Sequence, residues 1–243
     1  MFFLRHKVKL IETGFFRGYT DFHSHILPAV DDGIGTLEEA LETLGYFTEL
    51  KVNKVILTPH VMNGVGEDRE KVTRAYEMLC GQYKGGIILN LAAEYMLDSG
   101  FRERLENGLN HLEKDRVLVE TSYLSPPNNL YELLYDIVMA GNTPVIAHPE
   151  RYLYMNHADF HKLKDNDCLL QLNLLSLAGY HGKQALKNAE YLLEEGMYDL
   201  SGTDLHHLGT FKKWIGALKV TDKQLDRLCR LCLLYTSPSP RDG

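Results

Sequence analysis

Apolar and polar residues alternate along the chain with two different periods, which predict strands and helices in turn. Residues 36–50 carry apolar side chains at three- and four-residue spacing, with acidic residues between them. Thr36 would cap this predicted helix, and Glu39 would supply the second half of a capping box. The apolar positions of the segment are Leu37, Leu41, Leu44 and Phe47.

Short runs of strand type precede helical segments of this kind in a repeated β-then-α order. About seven such runs are present, which predicts a parallel sheet with helical crossovers. At this chain length we expect an α/β fold whose sheet closes, or nearly closes, into a barrel within a single domain. The predicted strands lie in the segments DFHSH, KVILTPH, GGIILNLAAEY, DRVLVETSY, TPVIAHPERY, CLLQLNLLS and MYDLSGTDLHH.

Composition and charge narrow the class of function. The chain is 44% hydrophobic and 24% charged, which is typical of a soluble protein with a sizeable core. Its formal net charge is −7 and it has no long basic run, so we expect no nucleic-acid partner. An anionic substrate stays open, because a bound metal ion can reverse the local sign of the potential.

The sequence also predicts where the protein works. No run approaches the roughly 20 apolar residues of a membrane span, so we expect no membrane insertion. The apolar start is broken at Arg5 and lacks the features of a signal peptide. Cys229 and Cys232 lie close together without a redox or zinc motif around them, and we interpret them as helix residues. These observations predict a cytoplasmic protein.

The two ends of the chain differ from the segment between them. Residues 1–17 are interpreted as an N-terminal arm, and residues 18–232 as the barrel domain. The last segment, 233–243, reads LLYTSPSPRDG and has two Ser-Pro steps but no periodicity. We expect this segment to be a disordered tail that is foreign to the native protein.

Side chains that bind metal ions occur at the ends of nearly all the predicted strands. In a parallel α/β barrel these ends meet at one face, where active sites form. A single histidine is more often structural than a ligand, but an ordered set at six strand ends predicts one shared metal site. The candidate ligands, in chain order, are His23, His25, Asp32, His60, Glu94, Glu120, His148, Asp204 and His206.

The ligand types narrow the choice of metal. Imidazole and carboxylate without thiolate suit Mn, Fe or Zn better than a structural zinc site. The set is too large for one ion and fits two or three ions that share a carboxylate. Such a cluster lowers the pKa of a bridging water and can displace a phosphoester. The role of His207 stays open, and the other histidines are interpreted as structural or solvated: His6, His111, His157, His161 and His181.

Six motifs together closely resemble those of the polymerase and histidinol phosphatase (PHP) superfamily. Within it they are similar to the bacterial manganese-dependent protein-tyrosine phosphatases of capsule and exopolysaccharide operons. The resemblance covers residues 18–225 and implies a distorted (βα)7 TIM-like barrel. It implies Mn²⁺ as the cofactor, in two or three ions, with Fe, Zn or Mg as alternatives. The motifs are DFHSHILPAVDDG, TPH, AEY, VET, AHPERY and GTDLHH.

The resemblance also divides the candidate ligands among the ions. One ion would bind two imidazoles and a carboxylate, and Glu94 would bridge this ion to a second one. The first ion would have His23, His25 and Asp204, the second or its neighbour Glu120 and His148, and the third Asp32, His60 and His206.

Three residues are implied to act in catalysis. Arg151 corresponds to an arginine proposed to bind the substrate phosphate, and a planar guanidinium suits two phosphate oxygens. Asp204 and His206 would act beside it. The last motif departs from the usual Asp-x-His-Asn, and a basic loop after it is replaced by a segment with Lys212 and Lys213. Either lysine could replace a phosphate-binding arginine, but we favour the interpretation that both are solvated.

The leading hypothesis is therefore a phosphomonoesterase that dephosphorylates tyrosine on a bacterial tyrosine kinase. A metal-activated water would attack phosphorus in line and release phosphate, and no Cys-x5-Arg loop is present for thiol chemistry. Three alternatives stay open: a small-molecule phosphatase such as a histidinol phosphatase, a non-catalytic metal-binding regulatory protein, and a metal-dependent nuclease, which the acidic balance disfavours. A homo-oligomer is compatible with the sequence.

Overall fold

The computed structural model describes residues 7–233, with side chains as far as residue 231. Its strands are β1 (Val8–Lys9), β2 (Thr20–Ser24), β3 (Lys54–Leu57), β4 (His60–Val61), β5 (Ile88–Leu91), β6 (Glu94–Met96), β7 (Arg116–Glu120), β8 (Thr143–Ala147), β9 (Leu169–Asn173), β10 (Leu200–Gly202) and β11 (Lys219–Val220).

The helices lie between these strands and after them. They are α1 (Leu37–Leu50), α2 (Arg69–Gln82), α3 (Phe101–Glu106), α4 (Leu130–Met139), α5 (His157–Asp165), α6 (Lys183–Glu195), α7 (Leu208–Ala217) and α8 (Asp222–Leu233). Three single 3₁₀ turns accompany them, at Leu10–Glu12, Pro149–Arg151 and Leu174–Ser176.

Helix α1 begins where the sequence predicts. Thr36 is extended, and its side chain accepts the backbone N–H of Glu39 at 3.2 Å, which satisfies one of the free donors of the first turn. A complete capping box occurs at α5 instead, between Asn156 and Asp159. Local capping chemistry therefore fixes the starts of two helices that cover the sheet.

The strands form parallel ladders that curl around a common interior. One ladder runs β2–β3–β5, and the other runs β4–β6–β7–β8–β9–β10. Only Thr58 and Pro59 separate β3 from β4, so the chain passes from one ladder directly into the other. Beyond β10, the N–H of Asp204 donates to the carbonyl of His23 at 2.7 Å, and His25 N–H donates to Leu205 at 3.0 Å. The result is an α/β domain with a curled parallel sheet, as predicted in outline.

Two apolar regions lie on opposite faces of the sheet. Alternation along β7 directs Val117 and Val119 towards the helices and Leu118 into the sheet interior. The large core lies between sheet and helices, and it includes Leu44 and Phe47 of α1. The small inner cluster consists of Phe22, Ile56, Ala92, Leu112, Leu118, Val145, Ala147 and Leu200.

Several elements outside the βα pattern complete the domain. β1 pairs antiparallel with β11, with Val8 opposite Val220. Leu10, Phe15 and Phe16 are buried in the main core, so the described part of the predicted arm, residues 7–17, packs on the domain, while the boundary at residue 18 stays a prediction. The predicted tail, 233–243, lies outside the described residues except for the last residue of α8. None of the described helices has the length and apolar character needed to cross a membrane.

Candidate metal centre

The candidate ligands all lie at the carboxyl-terminal end of the curled sheet. His23 lies in β2 and His25 follows it, Glu120 ends β7, and His148 follows β8. The positions on the split strands differ from the prediction of strand ends, because His60 and Glu94 begin β4 and β6 after the break. The paired register of β4 and β6 sets His60 directly beside Glu94.

The structure brings all the predicted ligands together. Their donor atoms form four groups, and within each group the atoms lie within 4.8 Å of one another. Glu94 belongs to two groups, which is the arrangement expected of a carboxylate that bridges neighbouring ions. The groups are His23, His25 and Asp204; His23, Glu94 and His148; His60, Glu94 and Glu120; and His25, Asp32, His60 and His206.

Glu94 lies at the centre of this arrangement. Its Oε2 is 3.1 Å from Nε2 of His23 and 3.0 Å from Nδ1 of His60, and its Oε1 is 3.1 Å from Nε2 of His148. The two oxygens therefore face different groups of imidazoles. A carboxylate placed in this way can bridge two cations, which is the role that the family resemblance implies for Glu94.

Buried donor atoms without hydrogen bonds test whether the site fits metal ions. Three such atoms meet at one point: Nδ1 of His60 is 3.0 Å from both Oε2 of Glu94 and Oε1 of Glu120, yet none of the three makes a hydrogen bond within the described chain. Buried polar atoms are rarely left unpaired. Atoms that converge without mutual hydrogen bonds are arranged as ligands of a cation, so these residues fit the metal.

The electrostatics differ from one candidate ligand to the next. Although burial alone would lower it, the charge of Glu94 raises the pKa of His60 to about 10, so a cation that binds His60 must displace its proton. Burial alone would raise the pKa of Glu94, but the nearby His23 and His60 hold it well below its usual range. Burial, together with the charge of Glu94, raises the pKa of Glu120. Burial and the cationic Arg151 lower the pKa of His148 to about 4, which keeps its imidazole neutral, as metal binding requires. The pKa of Glu94 is thus lowered and that of the neighbouring Glu120 is raised. A cation bound between them would stabilise the ionised form of both carboxylates.

A second layer of polar side chains orients the candidate ligands. Nδ1 of His25 is 2.8 Å from Asp31, and Nδ1 of His23 is 3.0 Å from Oε1 of Gln171. Asn173 donates to Oδ2 of Asp204 at 2.8 Å. Such partners fix the ring orientation and tautomer of metal-binding histidines.

Sequence reasoning did not identify Asp31, Gln171 or Asn173. A signal for two of them was present, because Gln171 and Asn173 alternate within an otherwise apolar strand and so share one face.

Local backbone geometry brings the ligands close together. His148 and Asp204 both have positive φ, at 34° and 50°, which is uncommon for residues other than glycine. Gly202 lies so close to β2 that a Cβ atom there would be 2.4 Å from Cβ of His23. The site thus depends on two strained backbone conformations and on the close contact of Gly202 with β2. Such strain costs free energy, which the surrounding structure must offset.

A cavity of about 570 Å³ opens beside the ligands. Asp32, His60, Asp204 and His206 contribute to its lining, and so does Arg151. Nη1 of Arg151 donates to Oδ2 of Asp204 at 2.7 Å. A guanidinium next to the candidate metal ligands can bind an anionic group that enters the cavity.

The residues interpreted as structural lie mostly elsewhere. His111 contacts Asn142, while His157 and His161 both contact Tyr191. His181 is an exception, because it lines the cavity, as does the exposed His207. Nζ of Lys212 is 3.5 Å from Glu42, and Lys213 is exposed; His6 lies outside the described residues.

Fold and site together define a class: single-domain α/β proteins with a cluster of histidines and carboxylates for metal ions at the carboxyl end of a curled parallel sheet. The chain belongs to the family described as capsular polysaccharide synthesis, CpsB/CapC, whose family model matches residues 19–238. The resemblance found in the sequence motifs is therefore confirmed.

Curated relatives and solved structures agree with this assignment. The chain is 29% identical over 202 residues to the tyrosine-protein phosphatase YwqE of Bacillus subtilis (strain 168), covering 78% of each chain. It is 30% identical over 203 residues to the tyrosine-protein phosphatase CpsB of Streptococcus pneumoniae, covering 77% of this chain and 83% of that protein.

A crystal structure from work on YwqE and CpsB, described as unique metal-dependent tyrosine phosphatases, matches with a TM-score of 0.70. It is 25% identical and the match covers 88% of this chain and 94% of that chain. A phosphotriesterase homology protein from Escherichia coli, 13% identical with a TM-score of 0.51 over 93% of this chain and 94% of that one, shares the fold.

Proposed function

We propose that the protein is a metal-dependent protein-tyrosine phosphatase that acts in capsule or exopolysaccharide biosynthesis. The observation that carries the proposal is the convergence of buried imidazoles and carboxylates on Glu94, beside a cavity that contains Arg151. The relatives named above as tyrosine-protein phosphatases supply the substrate class. The alternative of a histidinol phosphatase is not favoured by these relatives.

We assign the ligands according to the groups of donor atoms. Glu94 belongs to two groups and can bridge them, whereas each imidazole has one free nitrogen lone pair and would bind a single ion, so the set fits two or three ions. Mn²⁺ is proposed, with Fe, Zn or Mg as alternatives that imidazole and carboxylate ligands also accept. The remaining proposed ligands are Asp32, His60, Glu120, His148, Asp204 and His206.

When bound, the ions would activate a water molecule and neutralise charge on the transferred phosphoryl group. Arg151 would bind the phosphoryl oxygens through its planar guanidinium, which Asp204 holds in place. Nδ1 of His206 donates to the carbonyl of Asp204 at 3.0 Å, which leaves Nε2 unprotonated and free to bind a cation. Asp204 therefore orders both of its neighbours in the proposed catalytic set.

We further propose that the substrate protein is a bacterial tyrosine kinase and that the product is phosphate. A homo-oligomer is compatible with the sequence. We place the protein in the cytoplasm, which the free thiols of Cys80, Cys168 and Cys229 support.

We also propose a distorted (βα)7 barrel. If β3 with β4 and β5 with β6 are each counted as one broken strand, the parallel ladders give seven positions. The backbone hydrogen bonds between β2 and the segment after β10 support closure.

A phosphotyrosyl-peptide assay with manganese restored after complete chelation tests the proposed function. We expect chelation to abolish turnover, manganese to restore it, and alkylation of the thiols to leave it intact. Histidinol phosphate, assayed in parallel, should be the poorer substrate. Turnover that survives chelation but is lost on alkylation would reject the mechanism, and faster hydrolysis of histidinol phosphate would reject the substrate class.

A further inference from the structure

Aromatic side chains stand around the cavity that opens beside the candidate metal centre. Two tyrosines line it, Tyr123 in the segment after β7 and Tyr180 in the segment before α6. Both residues remain partly exposed, Tyr123 at 36% and Tyr180 at 43%. Large aromatic surface left open to solvent beside a polar centre marks a place where a ligand is bound.

Tyr123 is fixed against the proposed phosphate-binding arginine. The Cζ atom of Arg151 lies 4.3 Å from the centre of the Tyr123 ring, a cation–π distance. The same ring lies 5.7 Å from the imidazole of His148. Burial raises the pKa of the Tyr123 phenol, so the ring is neutral at physiological pH. One wall of the cavity is therefore an aromatic ring immediately beside the phosphate-binding position.

Tyr180 is held by other contacts. Its ring lies 5.5 Å from Trp214 of α7 and 4.7 Å from His181. His181 is itself fixed by Ser176, at 3.0 Å between Nδ1 and Oγ. The exposed ring of Tyr180 is thus ordered before any substrate binds, which lowers the entropy cost of using it as a contact surface.

We infer that Tyr123 and Tyr180 determine specificity by contacting the phenyl ring of an aryl phosphate while its phosphoryl group lies at Arg151 and the metal centre. The inference rests on the proposed function and adds the residues that would distinguish phosphotyrosine from alkyl phosphates. Aromatic pairs gain about 0.5–1.5 kcal/mol beyond the area they bury, and an alkyl phosphate cannot make this contact. Selection would thus come from the cavity walls, since the metal centre treats both phosphoryl groups alike.

Binding of two unreactive phosphonates to the manganese-loaded protein tests this inference without turnover. Phenylphosphonate carries the ring and methylphosphonate lacks it. The dissociation constant of methylphosphonate divided by that of phenylphosphonate therefore measures the preference for an aryl group. We expect Tyr180→Leu to reduce that ratio by about 2- to 12-fold, the factor that corresponds to one aromatic contact. Tyr180→Phe should retain the ratio, because it keeps the ring and removes only the hydroxyl.

Two further variants complete the experiment. Tyr123→Leu should reduce the ratio and should also weaken the binding of methylphosphonate, because it removes the ring that contacts Arg151. Tyr135→Leu is the matched control, since Tyr135 lies on α4 with 63% of its side chain exposed. An unchanged ratio in both Tyr180→Leu and Tyr123→Leu would overturn the inference. Failure of the proposed function would look different, because the unsubstituted protein would then not hydrolyse phosphotyrosyl peptide at all.

Discussion

The interior of the curled sheet contains two neighbouring regions that the same strands build in opposite ways. Leu118 and Glu120 lie on one face of β7, yet the first packs in the inner apolar cluster and the second in the metal centre. Ala147, the last residue of β8, packs in the apolar cluster, and His148 directly after it belongs to the metal centre. Apolar burial stabilises the first region by about 25 cal/mol per Å². Buried charges destabilise the second unless they are paired or bind a metal ion.

The two regions differ in whether they need bound metal ions. The apolar cluster needs no ligand and should hold the fold with or without ions. The centre around Glu94 has buried donor atoms that lack hydrogen bonds, so it should depend on cations for its order and its chemistry. Substitutions in the two regions, which lie only a few residues apart, should therefore have different effects.

The largest effect is expected at Glu94. Glu94→Gln removes the negative charge that faces four imidazoles, and an amide cannot bridge two cations as a carboxylate does. Since outer-layer partners alone contribute about 10- to 100-fold, we expect kcat/KM to fall by more than about 100-fold. Hydrolysis of a phosphotyrosyl peptide measures this fall, and elemental analysis gives the manganese content of the same variant. Glu49→Gln, an exposed site on α1, is the control, and equal metal content and activity in the two variants would contradict the assignment.

A smaller loss is expected at Asp31, which contacts His25 without belonging to any group of donor atoms. Asp31→Asn keeps the volume but removes the charge that orients the imidazole. We expect metal affinity to fall by about 10- to 100-fold, measured by titration of the metal-free protein with manganese. The matched variant Asp226→Asn, exposed on α8, should bind manganese normally. An unaltered affinity in Asp31→Asn would show that this contact does not orient the ligand.

The space available for a methyl group differs between a glycine at the metal centre and a glycine on helix α1. A methyl group at Gly202 would meet Cβ of His23, whereas at Gly45 of α1 it would meet nothing within 4 Å. We expect Gly202→Ala to lower the free energy of unfolding by about 1–3 kcal/mol and to impair metal binding. Gly45→Ala should raise it by up to about 1 kcal/mol. Urea denaturation measures both, and a neutral Gly202→Ala would mean that β2 and β10 can separate at no cost.

The smallest effect is expected in the apolar cluster. Ile56→Val removes one methyl group from a fully buried side chain in the sheet interior. The free energy of unfolding should fall by about 0.5–1.5 kcal/mol. Manganese stoichiometry should not change, because the cluster provides no ligand. Loss of metal in this variant would show that the two regions are not independent.

Much of the site could be predicted from the sequence because of one geometric fact. The carboxyl ends of parallel strands meet at one edge of a sheet, so His23, Glu120, His148 and Asp204 had to converge once the βα order was recognised. Helix α1 was equally accessible, because its apolar spacing and the cap at Thr36 are local signals.

Other features depend on distant contacts that no local pattern encodes. Two adjacent acids, Asp31 and Asp32, are equivalent in sequence, and only the folded loop directs one to His25 and the other to the cavity. His181 was interpreted as structural, yet the turn at Leu174–Ser176 brings it to the cavity wall. The pairing of β1 with β11 joins the first strand of the described chain to its last strand, and the chain changes from one ladder to the other at the breaks after β3 and β5.

The side chains gathered around Glu94 are proposed to bind several metal ions together. Elemental analysis of protein loaded with manganese and then freed of unbound ions measures this binding. We expect about two to three ions per chain, falling by at least one in Glu94→Gln. A loaded protein that retained less than about one ion per chain, with hydrolysis of phosphotyrosyl peptide undiminished, would contradict this proposal.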